Sequence, residues 1–219
     1  MAREKVGIFG GTFNPVHVGH LRLALEVREL AGLDLVECLP SGVPPHKSAR
    51  GILPFALRVR LLRQAVTGIP GLDVNELEGS LPGPSFTCRT IDTLLQLRPQ
   101  TEFSFLLGSD DLLNITSWEE GNELPRKMNF IIIERLVSFD KALAFARTTW
   151  PENRQQENRL LFPDGTNMLF LSPPRLEISS TLIRDTWRQN RRIDFWVPEG
   201  VLELMQNARA EIDRCWNET

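Results

Sequence analysis

The stretch Gly10-Gly11-Thr12-Phe13-Asn14-Pro15-Val16-His17-Val18-Gly19-His20 decides how this chain reads. Before it lies Lys5–Phe9, a short apolar, β-branched run with the character of a buried strand. After it lies Leu21–Leu30, where Leu21, Leu25 and Leu30 fall on one side and Arg22, Glu26 and Glu29 elsewhere, a helical pattern. The glycines let the backbone approach a ligand closely and adopt φ > 0. A helix starting near Val18 is expected to offer amides without intrahelical partners and the positive end of its dipole, a natural anion site. His17 and His20 are three residues apart and share a face on a first helical turn. Gly19 between them is expected to leave room for a phosphate. The chain has one further histidine, His46, so any imidazole chemistry belongs to its first 46 residues. The ordinary alternatives are a tight strand-to-helix turn and solvated surface histidines.

Working outward, the N-terminal half alternates between two periodicities. Leu35–Leu39 reads as strand and runs into a proline-rich loop, Pro40 to Pro45. Phe55–Val66 is helical, Leu72–Glu76 a weak strand and Cys88–Leu97 helical. Phe103–Leu107 is strand, ended by Gly108; Phe130–Glu134 is a β-branched strand before a helical Asp140–Arg147. The polar stretch Thr148–Asn167 reads as a surface excursion. Leu169–Leu171 is a last strand, followed by a helix from about Ser180 and a terminal helix from about Pro198. Strands alternating with helices imply right-handed crossovers. The expected fold is α/β: a Rossmann-like, doubly wound parallel sheet with helices on both faces. It is expected as a single domain over 1–219, helical from about residue 180. Ligands in such sheets sit outside the carboxyl ends of the strands, which here means Gly10–His20 and Gly108–Asp111.

Composition narrows the function classes. The balance of 25 Lys+Arg against 28 Asp+Glu gives a net charge of −3, so no basic field is available for nucleic acid or an acidic membrane. No apolar run approaches the ~20 residues of a membrane span, and the N-terminus lacks a signal peptide's apolar stretch. The expected location is the cytoplasm. Cys38, Cys88 and Cys215 are odd in number and widely spaced, which disfavours a disulfide framework. A zinc site from His17, His20, Cys38 and His46 fits no common spacing, so no protein-bound metal site is expected. Tyrosine is absent, which removes every mechanism that needs a phenol.

Two nucleotide signatures are approached and missed. Gly7-x-x-Gly10-Gly11 fails the dinucleotide GxGxxG, and Ser41 to Ser48 mimics the end of a P-loop while Ser41 and His46 replace its glycines. More informative is Ser179-Ser180-Thr181, which opens a helix. Its ordinary role is N-capping, but the Glu or Gln of a capping box is missing. Arg184 lies four residues after Ser180, one turn into the helix, where its fork could grip phosphate oxygens.

GGTFNPVHVGH resembles the GGTFxPxHxGH signature of the HxGH-type nucleotidylyltransferases, relatives of the class I aminoacyl-tRNA synthetases. Pro40–Lys47, Pro84–Thr87, Gly108–Leu112, Trp118 and Ile178–Arg184 resemble, in the same order, segments of the bacterial nicotinate-mononucleotide adenylyltransferases. The resemblance spans about residues 5–205. It implies adenylyl transfer from ATP to nicotinate mononucleotide in NAD biosynthesis, releasing pyrophosphate, with Mg²⁺ on the triphosphate and no covalent enzyme intermediate. It implies His17, His20 and Arg184 as catalytic residues. It places Gly10, Gly11, Thr12, Gly108, Asp110, Ser179, Ser180 and Thr181 on ATP, and Lys47, Thr87 and Trp118 on the second substrate. The ordinary readings are a helix cap for Asp110, a solvated loop residue for Lys47 and a packing residue for Trp118. The partners implied are these small molecules, with room left for a homo-oligomer. Asn14 stands where many members have Asp, with little consequence expected; Phe86 replaces a frequent Tyr, and Arg135-Leu136-Val137 lacks a frequent Arg-Pro-Gly. The competing readings are pantetheine-phosphate adenylyltransferase, which lacks the PPHK and Trp segments, and a nucleotide-sensing module without turnover.

Overall fold

The computed structural model describes residues 3–43 and 50–217. Along the chain run β1 (Lys5–Gly11), α1 (Val18–Ala31), β2 (Leu35–Pro40), α2 (Phe55–Val66), β3 (Leu72–Val74), α3 (Thr87–Leu97) and β4 (Glu102–Gly108). There follow the short helices α4 (Ser109–Leu112) and α5 (Leu124–Lys127), then β5 (Asn129–Ile133) and α6 (Phe139–Thr149). The chain continues through β6 (Arg154–Gln156), β7 (Arg159–Leu161), β8 (Asn167–Leu171), α7 (Ser180–Arg188), α8 (Glu199–Asn207) and α9 (Arg209–Asn217). The strand order is β3-β2-β1-β4-β5-β8-β7-β6. Strands β1, β4, β5 and β8 pair in parallel, in registers such as Phe9 with Leu106 and Leu107 with Ile132. From β1 the chain winds outward to β2 and β3, then returns to β4 on the other flank of β1. A doubly wound sheet is read this way, and its switch point lies between β1 and β4.

Inter-residue contacts group the chain into two compact units, each drawn from three separate stretches. The first comprises Met1–Gly10, Glu26–Val36 and Phe86–Pro173; the second comprises Gly11–Leu25, Glu37–Ser85 and Pro174–Thr219. In the first, β5 and β8 bury nearly every residue, Ile131, Ile132, Met168 and Phe170 among them, as parallel strands covered on both faces do. Gly7 in β1 packs closely, a methyl there falling 2.7 Å from Leu33 Cδ1 at the far end of that side chain. In the second unit, Leu57, Leu61 and Leu62 of α2 join Ile183 and Trp187 of α7, Val201 of α8 and Trp216 of α9 in the core. The Trp187 and Trp216 rings meet edge to face at 6.0 Å, and Trp187 Nε1 donates to Asp213 Oδ1 at 2.7 Å.

Two expectations change here. The polar stretch 148–167 contains the hairpin β6–β7, which continues the sheet antiparallel to β8. Arg154, Gln155 and Gln156 are all exposed, so β6 is an edge strand that buries neither face and leaves no alternating pattern to read. The single terminal helix is two, α8 and α9, with Ala208 between them. No helix among the described residues is long and apolar enough to cross a membrane.

Candidate active site

Within the second unit the turn after β1 is held from several directions. Phe13 takes a positive φ of 48° while fully packed, a backbone conformation rare for a bulky residue. The His17 and His20 rings stack with centroids 3.6 Å apart, and Phe13 meets His20 edge-on at 4.9 Å. The His17 amide donates to His20 Nδ1 at 3.2 Å. With Nδ1 accepting, neutral His20 carries its proton on Nε2. His17 is 5% exposed and its Nδ1 has no hydrogen-bond partner among the described residues. Burial pushes its pKa down to about 4, so it is neutral at physiological pH.

Two details differ from the reading of the sequence. The Val18 amide donates to the Trp196 carbonyl at 2.9 Å, and the His17 amide is spent on His20, so these groups at the start of α1 are committed inside the protein. A methyl on Gly19 would lie 3.0 Å from His17 Nδ1, so that glycine makes room for the imidazole.

Three side chains pin the carbonyls of this turn. Arg58 Nη1 donates to the Thr12 carbonyl at 2.9 Å, Arg184 Nη1 to the Asn14 carbonyl at 2.8 Å, and Ser180 Oγ to the Pro15 carbonyl at 2.8 Å. Arg184 Nη2 also donates to Thr181 Oγ1 at 3.2 Å, one turn back along α7. Burial first, then the charge of Arg188, pull the Arg184 guanidinium below its usual pKa, with Asp185 opposing. Ser179 caps α7, its Oγ accepting from the Leu182 amide at 3.1 Å. The structure therefore brings Thr12, His17, His20, Ser180, Thr181 and Arg184 together around one turn.

Asn14 does more than the sequence suggested. It is 5% exposed; its Oδ1 accepts from the Leu53 amide at 3.0 Å and from Trp216 Nε1 at 3.4 Å, while its Nδ2 donates to the Gly51 carbonyl. Two donors on one side and an acceptor on the other fix the orientation of the amide. Aspartate could not supply the donor, so Asn and Asp are not interchangeable at this position.

The first unit holds the other described site residues. Gly10, next to last in β1, has the Phe105 ring against it, a methyl there falling 3.1 Å from Cζ. Gly108 ends β4, where a methyl would meet Asp110 Oδ1 at 2.8 Å and Arg135 Cδ at 2.9 Å. Asp110 lies inside α4 rather than at its cap, and Arg135 Nε stands 3.3 Å from its Oδ1. Oδ1 is buried without a hydrogen bond among the described residues, so this is an ion pair of poor bonding geometry. Thr87 opens α3, and Trp118, half-buried, follows a 3₁₀ turn at Ile115–Ser117. A tight turn supports the tryptophan: the Gly121 amide donates to the Trp118 carbonyl at 2.9 Å, and a Gly121 methyl would collide with the Ile115 carbonyl. Lys127 Nζ bonds both Asp92 on α3 (3.0 Å) and Glu120 in this turn (2.7 Å), tying the two segments together. Lys47 and His46 lie outside the described residues.

The residues the sequence reading missed are Arg58, Lys127, Trp216 and Glu78, whose Oε2 accepts from the Gly42 amide. Arg58 left a trace: a cation on the face of α2 that carries Leu61, Leu62 and Ala65. Among the described residues no three His, Cys, Asp or Glu side chains gather as a metal site.

Residues 8–186 match the cytidylyltransferase-like family. A relative from Geobacter metallireducens, named as a probable nicotinate-nucleotide adenylyltransferase, is 37% identical over 209 residues, covering 94% of this chain and 97% of its own. A relative of the same name from Clostridium perfringens is 33% identical over 202 residues, with 92% and 95% covered. Among solved structures, Plasmodium falciparum nicotinic acid mononucleotide adenylyltransferase complexed with NaAD superposes with a TM-score of 0.73 at 21% identity, covering 95% of this chain and 97% of its own. That likeness is one of fold.

Proposed function

The chain belongs to the cytidylyltransferase-like family, its activity is adenylyl transfer from ATP to nicotinate mononucleotide in NAD biosynthesis, and from that premise we propose how its own residues carry the step. The acceptor is a phosphate monoester with a second pKa near ~6, so at pH 7 it is already mostly a dianion and needs no general base. One of its oxygens attacks the α-phosphorus in line; the new P–O bond forms as the bond to the β-phosphate breaks, and pyrophosphate leaves with that electron pair. No covalent enzyme intermediate is involved. The protein's task is alignment and donors for the charge on the transferring group.

His20, whose Nδ1 is occupied by the His17 amide, presents Nε2–H as a fixed donor, and this observation carries the mechanism. His17 and the Thr12 hydroxyl add donors, and Gly11 brings the backbone close. Arg184 and the N-terminal turn of α7, with Ser179, Ser180 and Thr181, receive the β- and γ-phosphates. Gly10, Gly108 and Asp110 contact the adenosine; Thr87 and Trp118 take the pyridine ring; Lys47 takes the acceptor phosphate. Mg²⁺ enters as part of the MgATP substrate, coordinated by phosphate oxygens. The enzyme works on small nucleotides in the cytoplasm.

The test is pyrophosphate release from MgATP with nicotinate mononucleotide, nicotinamide mononucleotide or phosphopantetheine as acceptor. Dinucleotide formation with nicotinate mononucleotide is expected. Turnover of phosphopantetheine alone would overturn the substrate assignment. His20→Ala should lower kcat by about 10²–10³ with much smaller changes in KM.

A further inference from the structure

Arg58 is 1% exposed; the charge of Glu78 opposes the effect of burial on its guanidinium, whose hydrogen bonds among the described residues go to backbone carbonyls. All three nitrogens point at backbone carbonyls: Nε at Leu53 (2.9 Å), Nη1 at Thr12 (2.9 Å) and Nη2 at Gly42 (3.4 Å). The Leu53 bond is local and would by itself fix only the start of α2. The other two reach 46 and 16 residues away, to the loop after β1 and the loop after β2. Gly42 is held from its other side as well, its amide donating to Glu78 Oε2 at 3.1 Å, and a methyl there would lie 2.5 Å from the Glu78 carbonyl. A methionine would occupy this volume without the cost of burying a charge. What arginine adds is a planar fork that fastens three loop carbonyls at once.

We propose that Arg58 is a positioning residue for adenylyl transfer: through the Thr12 carbonyl it sets the phosphate turn, and it ties that turn to Gly42, just after β2. The proposal rests on the reading of Thr12–His20 as the transfer site. Arg58 touches no reacting atom; it acts through the backbone it holds. A misplacement on the order of 1 Å in such a turn costs about 10²-fold in rate.

The experiment compares Arg58→Lys, Arg58→Met and Arg58→Ala with His20→Ala. Steady-state kinetics for both substrates are measured well below each variant's melting temperature, with circular dichroism confirming the fold. Lysine cannot make the three-way tie, so kcat should fall about 10-fold in Arg58→Lys and about 100-fold in Arg58→Met, with KM moving less than about threefold. In Arg58→Ala, added guanidinium ion at millimolar concentration should recover part of kcat without raising the melting temperature. Wild-type kcat in folded Arg58→Met, or in Arg58→Lys if the methionine variant does not fold, would make Arg58 a packing residue and overturn the proposal. If His20→Ala is also fully active, the reading of the turn has failed first. If His20→Ala is impaired and the Arg58 variants are not, only the positioning role is lost.

Discussion

A buried imidazole is a liability in acid, and His17 makes the liability measurable. Burial pushes its pKa in the folded chain from the ordinary imidazole value of 6.5 down to about 4. Below about pH 6.5 the unfolded chain takes up a proton that the folded one refuses, so stability is complete above that pH and is lost as the pH falls towards 4. The loss attributable to this residue approaches about 3 kcal/mol at the acid end. Urea midpoints measured from pH 7 to pH 4 should therefore fall less steeply in His17→Gln than in the wild type; parallel curves would mean that His17 protonates freely. Asn14→Asp tests the neighbouring network from the opposite direction. A carboxylate facing the Gly51 carbonyl should cost about 1–3 kcal/mol at pH 8 relative to wild type, and the deficit should shrink towards pH 5 as the carboxyl becomes able to donate. A deficit independent of pH would remove the bond to Gly51 from the account. The histidine pair was legible in the sequence because HxGH spacing and scarcity mark it. The role of Asn14 was not, since its partners Leu53 and Trp216 lie 39 and 202 residues away.

At the scale of elements, α7 meets the turn after β1 with its first turn and its first arginine. The fork of Arg184 spans the Asn14 carbonyl and Thr181 Oγ1, a geometry an ammonium cannot copy. Arg184→Lys should weaken ATP binding about 10-fold and slow turnover, leaving nicotinate mononucleotide binding nearly unchanged, as titration calorimetry with each substrate would read. Equal ATP affinity would mean the planar fork is dispensable. Most elements could be read in advance because apolar patterning reports burial: β4 and β5 are rich in large apolar residues, and α2 and α3 each carry an apolar face. Hairpin β6–β7 escaped because its outer strand buries nothing. The commitment of the α1 amides escaped for another reason: the Trp196 carbonyl that accepts from Val18 is set by tertiary packing and leaves no local mark.

For the whole molecule, α9 is as much a part of the turn after β1 as the residues beside it in sequence. Trp216 is 1% exposed, stacks edge-on against Trp187, and reaches Asn14 with its indole N–H. Two substitutions separate these contributions. Trp216→Ala should cost about 3–5 kcal/mol in unfolding free energy through the cavity it leaves. Trp216→Phe should keep most of the packing, lose about 1 kcal/mol with the N–H bond, and show a measurable drop in kcat below its melting temperature. A phenylalanine variant with wild-type kcat would confine α9 to a purely supporting role. The same bond also fixes an order in time. Synthesis runs from the N-terminus, so Thr12–Pro15 are made early, whereas Ser180, Arg184 and Trp216, which hold that turn, follow 165, 170 and 202 residues after their partners. Contacts so distant along the chain are the slowest to close. While the chain is being made, the turn waits with its Asn14 and Pro15 carbonyls unfastened, and a nascent product that stops before Ser180 carries the whole HxGH motif with neither α7 nor α9 to shape it.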